Sequence, residues 1–107
     1  MKTYNKLIRD HIPKIIKDAG KTCKVRSLND EEYKASLKEK LIEESNELLE
    51  AVSIEAIIEE LADVEELISH IKRVYQIDDK TLKLMRDKKN KSNGSFHKQL
   101  FLETVDD

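Results

Sequence analysis

The residues with the clearest chemical potential lie in one stretch, KLIEESNELLEAVSIEAIIEELAD, residues 40 to 63. Glu43, Glu44 and Glu47 precede a break at Val52-Ser53-Ile54, and Glu60 and Asp63 follow it. A three-residue separation puts two side chains on one helix face a turn apart, so Glu44 with Glu47 and Glu60 with Asp63 are each placed to grip one cation. If the two segments fold back on each other at the break, Glu47 lies opposite Glu60 and Glu44 opposite Asp63. Carboxylates so gathered repel one another at neutral pH unless a cation sits among them. A ligand set of oxygens alone, with no His or Cys beside it, suits Mg2+ or Mn2+ rather than zinc. Mg2+ keeps several waters and takes substrate phosphates as its remaining ligands, so the expected partner is a phosphoanhydride. There the ion would activate water and offset charge developing on the phosphates. Against this stands a plainer fact: acidic residues at helical spacing are common on solvated helices, and Lys40 can simply pair with Glu44 one turn on.

The elements that must position these groups are helical. Asn29 followed by Glu32 has the spacing of a capping box and predicts a helix from about Asp30 to Val52. At about 100° per residue, Leu37, Leu41, Leu48 and Val52 form its apolar stripe, and Glu44, Glu47 and Glu43 form an arc bordering that stripe. The following segment, about Ile54 to Tyr75, is apolar over an arc of about 200° and is expected to be a central helix. Glu60 falls inside that arc and Asp63 at its edge, whereas Glu59 and Glu66 point to the opposite, polar side. Before these, Pro13 and Gly20 bracket a short helix with Ile12, Ile15, Ile16 and Ala19 at helical spacing. Residues 21 to 28, KTCKVRSL, read as an extended connector or a lone strand. After them, Asp78 or Asp79 caps a basic helix ending near Gly94, and the tail SFHKQLFLETVDD is expected to dock as one short helix or strand.

Composition supports a single helical domain over residues 1–107. Gly is found twice and Pro once, so helix breakers are rare. Twenty basic residues nearly balance 22 acidic ones, which argues against a surface for a nucleic-acid polymer. No run approaches a membrane span and the N-terminus lacks the apolar core of a signal peptide, so a cytoplasmic protein without a membrane partner is expected. One cysteine, Cys23, excludes an intrachain disulfide and reads as a small apolar residue. The three histidines, His11, His70 and His97, have no ligand spacing and read as surface or hydrogen-bonding residues. The wide apolar helix implies a homodimer or larger homo-oligomer.

KLIEESNE followed by EELADVEELI resembles the EExxE and ExxD signatures of the MazG-like all-α nucleotide pyrophosphohydrolases, relatives of phosphoribosyl-ATP pyrophosphohydrolase. The opening YNKLIRDHIPKII resembles that of one branch of the superfamily, so the resemblance runs from residue 4 to about 102. It implies an all-α helical bundle, with a short N-terminal helix and an extended connector packed on it. It also implies Mg2+-dependent hydrolysis of canonical or aberrant nucleoside triphosphates to monophosphate and pyrophosphate, for house-cleaning or pool control. By position, Glu44, Glu47, Glu60 and Asp63 would ligate the metal and Glu43 would support or join them. Arg9, in the LIRD segment, is a candidate phosphate contact, although it can equally pair with Asp10 or a neighbouring helix. Family members carry an Arg before Gly-x-Phe near the C-terminus, where this chain has Asn93-Gly94-Ser95-Phe96. Lys88, Lys89 or Lys91 would then supply the phosphate-side charge, with Lys40 as a further candidate, or these lysines only solvate a helix end. Two alternatives compete with NTP hydrolysis: phosphoribosyl-ATP hydrolysis in histidine synthesis, and a non-catalytic helical dimerisation module.

Overall fold

Local sequence accounts for the ends of every helix. In the computed structural model, which describes residues 2–106, the helices are α1 (Ile12–Asp18), α2 (Asp30–Glu50), α3 (Ile54–Val74) and α4 (Asp79–Asn93), and no strand is found among the described residues. Pro13 sits in the first turn of α1, where its missing N–H costs nothing, and Gly20 follows the helix at φ 79°. At the start of α2 the capping box is complete: the Glu32 N–H donates to Asn29 Oδ1 at 2.9 Å, and the Asn29 N–H donates back to Glu32 Oε1 at 3.4 Å. Ser53 caps α3 by accepting from the Ala56 N–H, and Asp78 caps α4 by accepting from the Thr81 N–H. Asn29→Ala should therefore cost about 1 kcal/mol and lower the melting temperature by about 4–8 °C, as a circular-dichroism melt would read.

The chain divides into two compact units, Met1–Gln76 and Ile77–Asp107. In the first, α2 and α3 pack as an antiparallel hairpin across the three-residue join at Ala51-Val52-Ser53. Leu37 (1% exposed) and Leu67 are its buried apolar residues among the described residues. Lys34 and Lys38 of α2 bring their ammonium groups to 5.2 and 5.0 Å from the Tyr75 ring centroid, which closes the end of the hairpin away from the join. Gln76 ends α3 with φ 57°, a left-handed geometry that Gly or Asn adopts more cheaply.

Of the two readings of residues 21–28, the connector is the one found: they form no strand and are tied down by Arg26, whose guanidinium donates to both carboxylate oxygens of Glu32 at 3.2 and 2.7 Å. Two expectations need correction. Cys23 is exposed rather than packed as an apolar residue. Helix α3 is not enclosed: α2 covers one side of its apolar arc, while Ile54, Ile58 (60% exposed), Leu61 and Ile68 remain open. A helix apolar over so wide an arc needs two partners, and the first unit supplies one long one.

In the second unit, α4 ends at Gly94, φ 81°. Residues 95–106 form neither helix nor strand, only a turn in which the Gln99 N–H donates to Phe96 O at 3.2 Å. Phe96, Leu100, Phe101 and Leu102 are all exposed. A segment this short gains no helix without a surface to lie on. No helix is long and apolar enough to cross a membrane among the described residues.

Candidate metal centre and adjoining cleft

The turn between α2 and α3 brings the acidic residues together as their spacing implies. One carboxylate oxygen each from Glu44, Glu60 and Asp63 lie within 4.8 Å of one another, and so do oxygens of Glu43, Glu44 and Glu47. Metal–oxygen distances of about 2.0–2.6 Å allow ligand oxygens up to about 4–5 Å apart, so both spreads are on the scale of one bound cation. Glu44 belongs to both groups and is the hinge of the site.

Burial separates Glu44 from the other acids. It is 7% exposed, whereas Glu43, Glu60 and Asp63 are half-buried and Glu47 is exposed. Burial, followed by the neighbouring carboxyl groups of Glu60, Glu47 and Asp63, pushes the Glu44 carboxyl up to about 8. At Glu60 the hydrogen-bonding contact with Glu44 pulls the other way, but burial and the charges of Glu47 and Asp63 outweigh it and the pKa is raised. Glu44 Oε2 and Glu60 Oε2 are both buried and have no hydrogen-bond partner among the described residues. Two such oxygens would be costly to leave unmatched. A small hard cation would supply what they lack, and this donor set fits Mg2+ or Mn2+.

Three basic residues border the cluster. Arg9 Nη2 lies 2.6 Å from Asp63 Oδ1, which is the pairing to a neighbouring helix rather than to Asp10. Lys40 Nζ is 3.3 Å from Glu43 Oε1 and 3.7 Å from Glu44 Oε1, so the simple pairing open to it is made. Lys6 Nζ reaches Glu43 Oε1 at 3.2 Å. Burial alone would raise the Glu43 pKa, yet Lys6 and Lys40 outweigh it and hold Glu43 below the ordinary range. Glu43 is thus matched to two lysines, whereas Glu44 has only the longer contact to Lys40 and its pKa is raised all the same.

Leu7–Asp10 runs beside the hairpin and forms one wall of a cleft of about 170 Å³. Its other wall is Tyr33, Leu37, Lys40 and Glu44 of α2 with Asp63, Glu66, Leu67 and His70 of α3. Here sequence reasoning missed functional candidates. Glu66 was expected on the polar back of α3, but the N-terminal strip turns that side into a cleft wall. The signal available was the row Asp63, Glu66, Leu67 and His70, one helix stripe at intervals of three and four. His70 Nε2 and Glu66 Oε2 are 2.8 Å apart, which fits the hydrogen-bonding role expected of that histidine. Tyr33 carried no motif, and Lys6, although inside the YNKLIRDHIPKII segment, was given no role. Lys88, Lys89, Lys91 and Asn93 belong to the second unit, where all are exposed on α4.

Comparison with known proteins adds one relative. An uncharacterized protein of Mycolicibacterium smegmatis (strain ATCC 700084 / mc(2)155) is 45% identical over 53 residues, which are 50% of this chain and 54% of that protein. The chain thus spans about half the length of the curated relative it matches. No family model matches the chain, and no solved structure does so.

Proposed function

We propose that the chain is a nucleotide pyrophosphohydrolase of the MazG-like all-α type, which adds water across the α–β phosphoanhydride of a nucleoside triphosphate and releases monophosphate and pyrophosphate. The observation that carries this reading is the meeting of Glu44, Glu60 and Asp63, with two buried carboxylate oxygens that have no hydrogen-bond partner among the described residues. Glu44, Glu47, Glu60 and Asp63 would hold Mg2+, or Mn2+ in its place. The ion supplies a polarised water and positive charge against the phosphate oxygens. The chain's own part is to orient and to balance charge: Lys6 and Lys40 stay beside the acids through Glu43, and Arg9 exchanges Asp63 for a phosphate oxygen, to which its planar fork is suited. This reading rests on the first unit, and its setting is the cytoplasmic nucleotide pool. The test is pyrophosphate release from a panel of canonical and modified nucleotides, phosphoribosyl-ATP included. Release that disappears in EDTA and in Asp63→Ala, with helicity retained, supports the reading; activity in EDTA would sink it.

The same reading includes a symmetric homodimer. Ile54, Ile58, Leu61 and Ile68 of α3 lie exposed on the side away from the acids, and Ile42 and Leu49 of α2 are exposed as well. An apolar surface of this kind on a soluble chain is what a self-complementary interface covers. Light scattering should return a dimer or larger assembly at micromolar concentration, and Ile58→Glu should give the monomer. A monomeric wild type would count against the dimer while leaving the acidic site untouched.

A further inference from the structure

The cleft extends well past the acidic cluster. Along α3, Asp63 and His70 are separated by seven residues, about 10 Å at the helical rise, and Glu44 and Leu37 of α2 are separated by the same interval. One end therefore has Glu44 and Asp63 with Lys40 and Arg9, all charged, and the other has Tyr33 and the Glu66–His70 pair above Leu37 and Leu67. At about 170 Å³ the cleft is below the roughly 300–1,000 Å³ that encloses a whole drug-sized ligand, so a molecule lying along it stays partly open to solvent. The six bonds between an α-phosphorus and the glycosidic nitrogen span at most roughly 7–8 Å at ordinary bond lengths. With the phosphates at the charged end, the base ring then arrives at Tyr33 and His70.

We propose that this far end is a nucleobase subsite, in which the base stacks on Tyr33 over Leu37 and Leu67 and presents its polar edge to the Glu66–His70 pair. The proposal rests on the pyrophosphohydrolase reading and deepens it: Tyr33, Glu66 and His70 set which base is accepted and take no part in the bond cleavage. The chemistry fits at each contact. An aromatic ring beside aliphatic side chains accepts any base by its face. The Glu66 carboxylate is an acceptor for a base amino or ring N–H, and with His70 Nε2–H donating to Glu66 the other ring nitrogen, Nδ1, is a second acceptor.

The subsite can be tested apart from hydrolysis. In EDTA, nucleosides titrated into the full chain should shift the ring proton signals of Tyr33 and His70, because base stacking needs neither metal nor phosphate. With Mg2+, Tyr33→Leu should raise KM for nucleoside triphosphates about tenfold, with little change in kcat. Tyr33→Phe should restore it, and His70→Gln should change the ranking of bases by kcat/KM. Nucleoside-dependent shifts without any pyrophosphate release would uphold the subsite and remove the hydrolase reading. Pyrophosphate release with no nucleoside-induced shift at Tyr33 or His70, or a Tyr33→Leu effect confined to kcat, would overturn the subsite and leave the hydrolase.

Discussion

In metal-free buffer the melting temperature of this protein should fall as the pH rises from about 5 to about 8, and millimolar Mg2+ should flatten or reverse that fall. Glu44 is the main cause. Its carboxyl is pushed from its ordinary value of 4.5 up to about 8 by burial and by the acids around it. Between those values the folded chain keeps a proton that the unfolded chain has released. The folded state thus binds more protons, and its advantage is complete below the unfolded pKa and lost as the pH rises through the folded one. For one group the slope is at most about 1.4 kcal/mol per pH unit. Glu60, also raised, acts in the same direction. Glu32, Glu43 and Asp78 are held low by their partners, so their contributions disappear only below the ordinary carboxylate range and leave the slope between pH 5 and 8 uncovered. A cation must displace the Glu44 proton, so it binds more tightly as the pH rises and stabilises the fold by mass action. At a concentration of 100 times Kd that stabilisation is about 2.7 kcal/mol. Melts at several pH values in EDTA and in Mg2+ check both slopes, and Glu44→Gln should remove both.

Glu60→Gln should make the metal-free protein more stable at pH 8 and nearly inactive. The amide removes a carboxylate placed among Glu44, Glu47 and Asp63, and its N–H donates to Glu44, so the repulsion falls without loss of volume. It also removes a ligand from the cation whose charge stabilisation is several kcal/mol, so kcat/KM for pyrophosphate release should drop by at least about 100-fold. Opposite signs in stability and activity are the mark of a site that stores strain for function. A residue needed only for folding would lower both together. Thermal melts beside a pyrophosphate assay on the same preparation decide between the two.

Much of this arrangement was legible in the sequence because its causes are local. Asn29 with Glu32, Pro13, Gly20, Asp78 and Gly94 act within one turn of the backbone, and they bound the helices to within two residues of expectation. The meeting of Glu44 with Asp63 and the approach of Glu47 to Glu60 followed from helical spacing and a short join. What sequence could not convey depends on distant contacts. That Glu44 alone would be buried depends on how α2 and α3 meet. That Arg9 would reach Asp63, and that the exposed Glu66 would also line a cleft, depends on the path of Leu7–Asp10 across the hairpin. The breadth of the apolar arc on α3 was visible, but whether its cover comes from this chain or another copy is not a property of one helix.

The claim on which the rest depends is that the α2–α3 acids hold a divalent cation. Calorimetric titration of Mn2+ into the full chain at pH 7, run in two buffers of different ionisation enthalpy, tests it most directly. Saturable binding with release of a proton, the one carried by Glu44, is expected, and Glu60→Gln should abolish that binding. No saturable heat up to millimolar Mn2+, or binding that Glu60→Gln leaves unchanged, would contradict it.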